Sequence, residues 1–272
     1  MTTSPPPRSV VDAFAPGAAP VALDGGQSMA FRAGDVVLKP APTVAEAEWS
    51  AETLDSLHGD GFRAPKPVRT ASGEVVVEGW CAWTYLEGEP AGRNGGRWPE
   101  TLAASAAFHQ ALAHLSRPPF LDARTDPWSI ADRIAFGDMP LQCSAAVREI
   151  VHPLIPLLEP VRLGSQVIHG DFTANVVFAD GMAPGVIDFT PYWRPALFAR
   201  AIVAVDALSW AGLSSNEAAA FSGEAAFPQM FARAALRRLL EFDQHLRRGH
   251  GRASDLPAHA RAVEAAVQLL AR

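Results

Sequence analysis

The chain has 272 residues, 49% of them hydrophobic, which is enough for one large core or two smaller lobes sharing a cleft. A formal net charge of -6 leaves no basic footprint for a nucleic-acid backbone, and no apolar run is long and charge-free enough to cross a bilayer. Cys81 and Cys143 stand far apart with no Cys or His at ligand spacing, which argues against a zinc site or a disulfide framework and fits a reducing cytoplasm.

The Ser/Pro-rich start, Met1 to Arg8, lacks a signal-peptide core, and residues 1–19 read as a flexible tail. From Pro20 to Pro40, β-branched runs alternate with Gly25-Gly26-Gln27-Ser28 and Ala33-Gly34-Asp35, predicting successive antiparallel strands that end in Val36-Val37-Leu38-Lys39. Thr43-Val44-Ala45-Glu46 has the form of a capping box, followed by an apolar face at Ala47, Ala51, Leu54 and Leu57. A helix is therefore expected from about Val44 to Leu57 or His58. Further strands are expected around Pro67 to Arg69 and Val75 to Leu86, with a turn at Gly73.

Gly, Pro, Arg and Asn cluster between Gly88 and Pro99, marking a boundary between a lobe over 20–88 and a second over 89–272. Helical spacing then dominates over Leu102 to Leu115, Ala145 to Leu158, Ala196 to Trp210, Glu217 to Phe221 and Met230 to Arg248. Arg237, Arg238, Arg247, Arg248 and Arg252 read as a solvated helix face, and His109 and His114 as ordinary core or surface histidines.

The strongest signal interrupts the helices. His169-Gly170-Asp171-Phe172-Thr173-Ala174-Asn175 lies between two β-like runs, and a Gly-containing turn leads on to Gly185-Val186-Ile187-Asp188-Phe189. An Asp, an Asn four residues on and a second Asp after a hairpin is the kinase catalytic-loop arrangement. Phosphoryl transfer needs a held hydroxyl and neutralised phosphate charge rather than covalent help. Asp171 suits the role of base and positioner. Asn175 and Asp188 offer the hard oxygens that magnesium takes while keeping water and phosphate oxygens. His169 reads as a scaffold for the loop. A serine-hydrolase elbow fails, because Gly26-Gln27-Ser28-Met29-Ala30 lacks the last glycine, and no His-Glu-x-x-His is present.

The His-Gly-Asp opening, with Gly170 where protein kinases carry Arg, resembles the aminoglycoside phosphotransferase, choline kinase and homoserine kinase group over roughly Leu23 to Leu246. The run from Asp188 to Pro195 is most similar to an actinobacterial branch of that superfamily. The resemblance implies an α+β, two-lobed, protein-kinase-like fold with a small antiparallel-sheet N-lobe and a mainly helical C-lobe. It implies ATP and Mg2+ as cofactors, with Asp171 catalytic and Asn175 and Asp188 on the metal. Lys39 would neutralise the α- and β-phosphates, Gly25, Gly26 and Ser28 would cover them, and Tyr85, Leu86 and Glu87 would meet the adenine edge. The helix glutamate that orients Lys39 is open among Glu46, Glu48 and Glu52; the family register falls on Ser50, and Glu48 is taken ahead of Glu46. Thr190 follows Phe189 and no Ala-Pro-Glu segment appears, which points to a small hydroxylated acceptor rather than a protein. Tyr192, Trp193, Arg194, Asp206 and Trp210 are candidate lining. Asp206, Glu217, Glu224, Glu241 and Asp243 are available to pair with amines. The alternative is a nucleotide-binding regulatory pseudokinase without turnover.

Overall fold

The computed structural model describes residues 4–23, 30–90 and 96–271. The expected tail folds at its far end. Helix α1 (Arg8–Phe14) buries Val10, Val11 and Phe14 in a cluster with Phe31, Leu38 and Trp80. Its apolar stripe is only two turns long, too short to stand out from a Pro-rich start.

Strands β1 (Val21–Ala22), β2 (Phe31–Ala33) and β3 (Val36–Pro40) run antiparallel, with Gly34 at φ +62° in the turn between the last two. Helix α2 (Val44–Ser56) follows, with the Thr43 hydroxyl capping the Glu46 N–H. Strands β4 (Pro67–Val68), β5 (Val76–Val77) and β6 (Trp80–Thr84) complete the sheet in the order β1-β2-β3-β6-β4, with β5 also on β6. In that register Lys39 lies opposite Cys81 and beside the ring of Trp83.

Beyond the short strand β7 (Glu89–Pro90) the chain turns helical: α3 (Trp98–Leu112), α4 (Pro127–Ala135) and α5 (Ala145–Val151). The helix expected to reach Leu158 stops at Val151, because Pro153 and Pro156 withhold amides and force short turns. Helix α4 lies outside the helical spans read from sequence, although Asp126 and Pro127 are start signals; the Asp126 carboxylate caps the Ser129 N–H.

Four short strands carry the polar motif. β8 (Gln166–His169) pairs with β11 (Pro191–Arg194), and β9 (Val176–Phe178) pairs with β10 (Gly185–Val186) and with β7. Helices α6 (Ala196–Trp210), α7 (Ser215–Ala219), α8 (Phe227–Arg247) and α9 (Leu256–Leu270) finish the chain. α6 is buried on nearly every side, packing Phe198, Ile202 and Val205 with Phe231, Leu239 and Leu240 of α8. A second core joins Ala47, Ala51, Leu54 and Trp83 to Phe108, Phe172, Val186 and Phe189, so the polar loop rests on apolar contacts from both halves.

The buried α1 generates a direct test. Phe14→Ala is expected to cost about 3 kcal/mol of stability by calorimetry, whereas a flexible tail would leave it unchanged within roughly 0.5 kcal/mol.

Candidate active site

Two antiparallel pairings set the site. The β8–β11 register places His169 opposite Pro191, and the β9–β10 register places Val176 opposite Val186. The Ile187 N–H donates to the Asn175 carbonyl at 2.9 Å. The loop 170–175 and Asp188 are thereby brought to the same end of both hairpins. Asp188 has φ +50°, a left-handed conformation that Asp tolerates better than most side chains.

Gly170 is required by packing. A Cβ there would enter the ring of Tyr192 on β11, which is itself buried. That contact accounts for glycine, and excludes arginine, between His169 and Asp171.

His169 is fully buried and works through backbone groups. Its Nδ1 accepts the Asp171 N–H at 3.3 Å, so Nε2 carries the proton and donates to the Ile187 carbonyl at 3.1 Å. Burial holds it neutral, pulling its pKa down against the nearby carboxylates. The scaffolding role read from sequence matches this geometry. Beneath it, the Nε2 of buried His109 accepts the His169 N–H at 3.0 Å, while Nδ1 meets the Ser105 hydroxyl at 3.1 Å. Burial and the neighbouring His169 lower the His109 pKa to about 3.

Lys39 reaches across the cleft, its ammonium 2.6 Å from Asp188 Oδ1. Burial opposes the Lys39 charge, but the Asp188 carboxylate outweighs it and holds the ammonium above its usual pKa. The Lys39 charge in turn lowers Asp188. Asn175 Nδ2 donates to the Asp171 carbonyl at 2.6 Å and sits 3.3 Å from Asp171 Oδ2, while the Asn175 side-chain oxygen accepts no hydrogen bond from the described residues. The structure thus brings together Lys39, Asp171, Asn175 and Asp188.

A family model described as "Phosphotransferase enzyme family" matches residues 22–192, well over half of the chain. The chain belongs to the phosphotransferase enzyme family. No curated protein matches the sequence significantly. Among solved structures, a thermostable mutant of aminoglycoside phosphotransferase APH(4)-Ia superposes at TM-score 0.62 with 15% identity, covering 95% of this chain and 97% of that one. A choline/ethanolamine kinase family protein from Mesorhizobium loti also gives TM-score 0.62 at 15% identity, over 97% of each chain. A microcompartment-associated aminopropanol kinase gives 0.57 at 14%, over 97% of this chain and 95% of that one. The phosphotransferase has the two-lobed, kinase-like α+β fold these share.

The remaining expected residues of this phosphotransferase divide. Gly25, Gly26 and Ser28 lie outside the described residues. The Tyr85 N–H is taken by the Asp35 carbonyl at 2.8 Å and the Glu87 carbonyl by Arg63 Nη2 at 2.9 Å. Glu48 is exposed on the outer face of α2 and forms no ion pair among the described residues, so the structure corrects its pairing with Lys39. Glu46 is the inward glutamate, and its carboxylate binds the Arg124 guanidinium rather than closing the capping box. Arg124 also donates to the Pro191 carbonyl at 2.7 Å. Of the candidate lining, Trp210 packs on His259 at the far end of α6, and Arg194 turns to Asp132 and Asp138.

The larger correction concerns α8. Arg247, Arg248 and Arg252 are exposed as expected, but Arg237 is buried and Arg238 points into the site. Arg238 Nη2 lies 2.7 Å from Asp171 Oδ1 and 2.6 Å from Asp206 Oδ2, with Nη1 3.0 Å from Glu241 Oε2. Burial raises the Asp171 carboxyl, yet the Arg238 charge outweighs it and leaves the group below the usual range. The i,i+3 and i,i+4 spacing of Arg238 and Arg237 to Glu241 was the available signal.

Two outcomes test the scaffold. Gly170→Ala should lose about 1–3 kcal/mol in denaturant unfolding, since the Tyr192 ring has nowhere to move. His109 has a folded pKa depressed below its unfolded value, so its stabilising share is complete above about pH 6.5 and is lost as pH falls towards 3. The wild-type stability slope in that window should exceed that of His109→Gln by up to about 1.4 kcal/mol per pH unit, measured by urea unfolding at successive pH values.

Proposed function

We propose that this phosphotransferase moves the γ-phosphoryl group of magnesium-bound ATP to a hydroxyl of a small molecule. The observation that carries the reading is the convergence of Lys39, Asp171, Asn175 and Asp188, drawn from both halves of the chain, at one end of the β8–β11 and β9–β10 pairs.

The residues fit a magnesium ion. Asn175 presents its carbonyl oxygen because its amide nitrogen is committed to Asp171, and Asp188 is 60% exposed at the side chain. Two hard oxygens suit an ion that fills its remaining positions with water and phosphate oxygens. When bound, it would neutralise phosphate charge.

The chain's own groups supply the rest. Lys39 exchanges part of its contact with Asp188 for the α- and β-phosphates. Leu86 and the Glu87 N–H meet the adenine edge, since the Tyr85 amide is already satisfied. The acceptor oxygen bonds to the γ-phosphorus as the bond to the β–γ bridging oxygen breaks. ADP leaves with that electron pair, and the acceptor's proton passes to Asp171. His169 keeps the Asp171 backbone fixed while this occurs.

Support for a small acceptor comes from the link after Asp188. Only Phe189 and Thr190 separate it from β11, where a protein kinase has a long substrate-docking segment, and the Thr190 hydroxyl closes back on the Asp188 carbonyl at 3.1 Å. Solved relatives of low identity bind such ligands: one thermostable APH(4)-Ia variant is a ternary complex with AMP-PNP and hygromycin B. One observation favours the alternative of nucleotide binding without turnover: Glu46 is paired with Arg124 rather than with Lys39. Lys39, Asp171, Asn175 and Asp188 are nevertheless all present and convergent, which favours turnover.

Magnesium-dependent ADP release, stimulated by a panel of hydroxylated small molecules, checks the proposal. Asp171→Asn should lower acceptor-stimulated turnover by about 10²–10⁴-fold, and Asp188→Ala should abolish it. Nucleotide binding with no acceptor-stimulated release, and variants indistinguishable from wild type, would instead make this a binding protein.

A further inference from the structure

Helix α8 delivers two consecutive arginines to the acceptor side of the site, where they meet three carboxylates from three elements. Arg238 joins Asp171 of the loop after β8, Asp206 of α6 and Glu241 of its own helix. Its Nε also donates to Asp206 Oδ1 at 2.9 Å, making that contact bidentate. Arg237 pairs with Glu241 at 2.7 Å and stacks on the Tyr192 ring, 4.4 Å from its centroid. The Thr173 hydroxyl donates to Asp206 at 2.7 Å, tying the same loop to α6 a second time.

The consequence is where the negative charge goes. The side chains of Asp206 and Glu241 are 9% and 7% exposed, and both are committed to guanidinium groups. Asp243 is buried on Arg247 and the Ser144 N–H, and Glu217 closes the capping box of α7. Asp171, at 46%, and Glu217 are the exposed ones among these; one of the two Asp171 oxygens already carries a guanidinium, and Glu217 is held by the Ser214 N–H and hydroxyl. An ammonium group presented next to the reacting hydroxyl would find none of these carboxylates unpaired and would face Arg238.

We infer that Arg238 is a specificity-determining residue of the acceptor site, occupying the carboxylates of Asp171, Asp206 and Glu241 that an amine would otherwise pair with. The acceptor is therefore a neutral hydroxyl compound of the sugar or polyol class, without an amine beside its reacting hydroxyl. The assignment rests on the phosphotransferase reading for its chemistry, but its charge argument can be measured separately.

ADP release is compared for wild type, Arg238→Lys and Arg238→Gln with matched acceptors: glucose against glucosamine, and ethylene glycol against ethanolamine. Wild type should favour the neutral member by roughly tenfold or more in kcat/KM, Arg238→Lys should stay within about threefold of that ratio, and Arg238→Gln should lower it by roughly tenfold. A wild-type preference for the amine, or an unchanged ratio in Arg238→Gln, overturns the inference. If no acceptor of either class stimulates wild type, the functional reading fails by itself, and calorimetric titration with spermidine decides the charge argument. Roughly tenfold tighter binding to Arg238→Gln than to wild type supports it; equal binding overturns it. Should circular dichroism show that Arg238→Gln does not fold, Arg238→Gln/Asp206→Asn, which removes a buried carboxylate with its partner, carries the same comparisons.

Discussion

The neutral imidazole of His169 ties the site together. Through two ring nitrogens it holds the Asp171 amide on one side and the Ile187 carbonyl on the other, one residue before Asp188. The backbone at neither aspartate can shift far without straining a bond inside a region enclosed by Phe108, Phe172 and Phe189. A protonated ring could not accept from Asp171, so the dry surroundings that keep His169 uncharged also keep its bonding pattern. His109 extends this downward to α3, and Gly170 lets Tyr192 press the loop from above. The loop is short and polar, yet it is supported on an apolar floor from both halves of the chain.

Charge is organised on a second level around that floor. Lys39 and Asp188 face each other across the cleft, the lysine side chain 25% and the carboxylate 60% exposed. The pairs made by Arg238 and Arg124 are largely enclosed, and removing one partner there would leave a charge stranded in low dielectric. The cleft therefore combines a partly exposed ion pair at Lys39 with enclosed ones around Arg124 and Arg238. Arg63 adds a third link, bonding the Ala183 and Glu87 carbonyls so that the segment after β6 is tied to the β9–β10 hairpin.

What can be read from sequence follows from how local each signal is. The loop 169–175 with Asp188 announces itself because polar residues at fixed spacing interrupt β-branched runs, a pattern that local turn chemistry alone rarely produces. Helix α6 matches its expected span because an Ala-rich apolar run begins just after a proline. Glu46 reads as part of a capping box because Thr43 stands three residues before it; the hydroxyl does cap, but Arg124, 78 residues away in sequence, takes the carboxylate. Arg238 reads as a solvent residue because arginine usually is one, and its partners Asp171 and Asp206 are 67 and 32 residues distant. In both cases the sequence shows the charged residue and its local neighbours, while the decisive partner comes from tertiary packing.

Transfer of phosphate to carbon-bound oxygen is the central claim, and phosphorus NMR reads it without assuming which acceptor is right. The protein is incubated with magnesium, ATP and the hydroxylated panel, and the products are followed over time. A phosphomonoester resonance growing in step with ADP is the predicted result. ADP accompanied only by inorganic phosphate, or an ATP spectrum that never changes while nucleotide is bound, would contradict it.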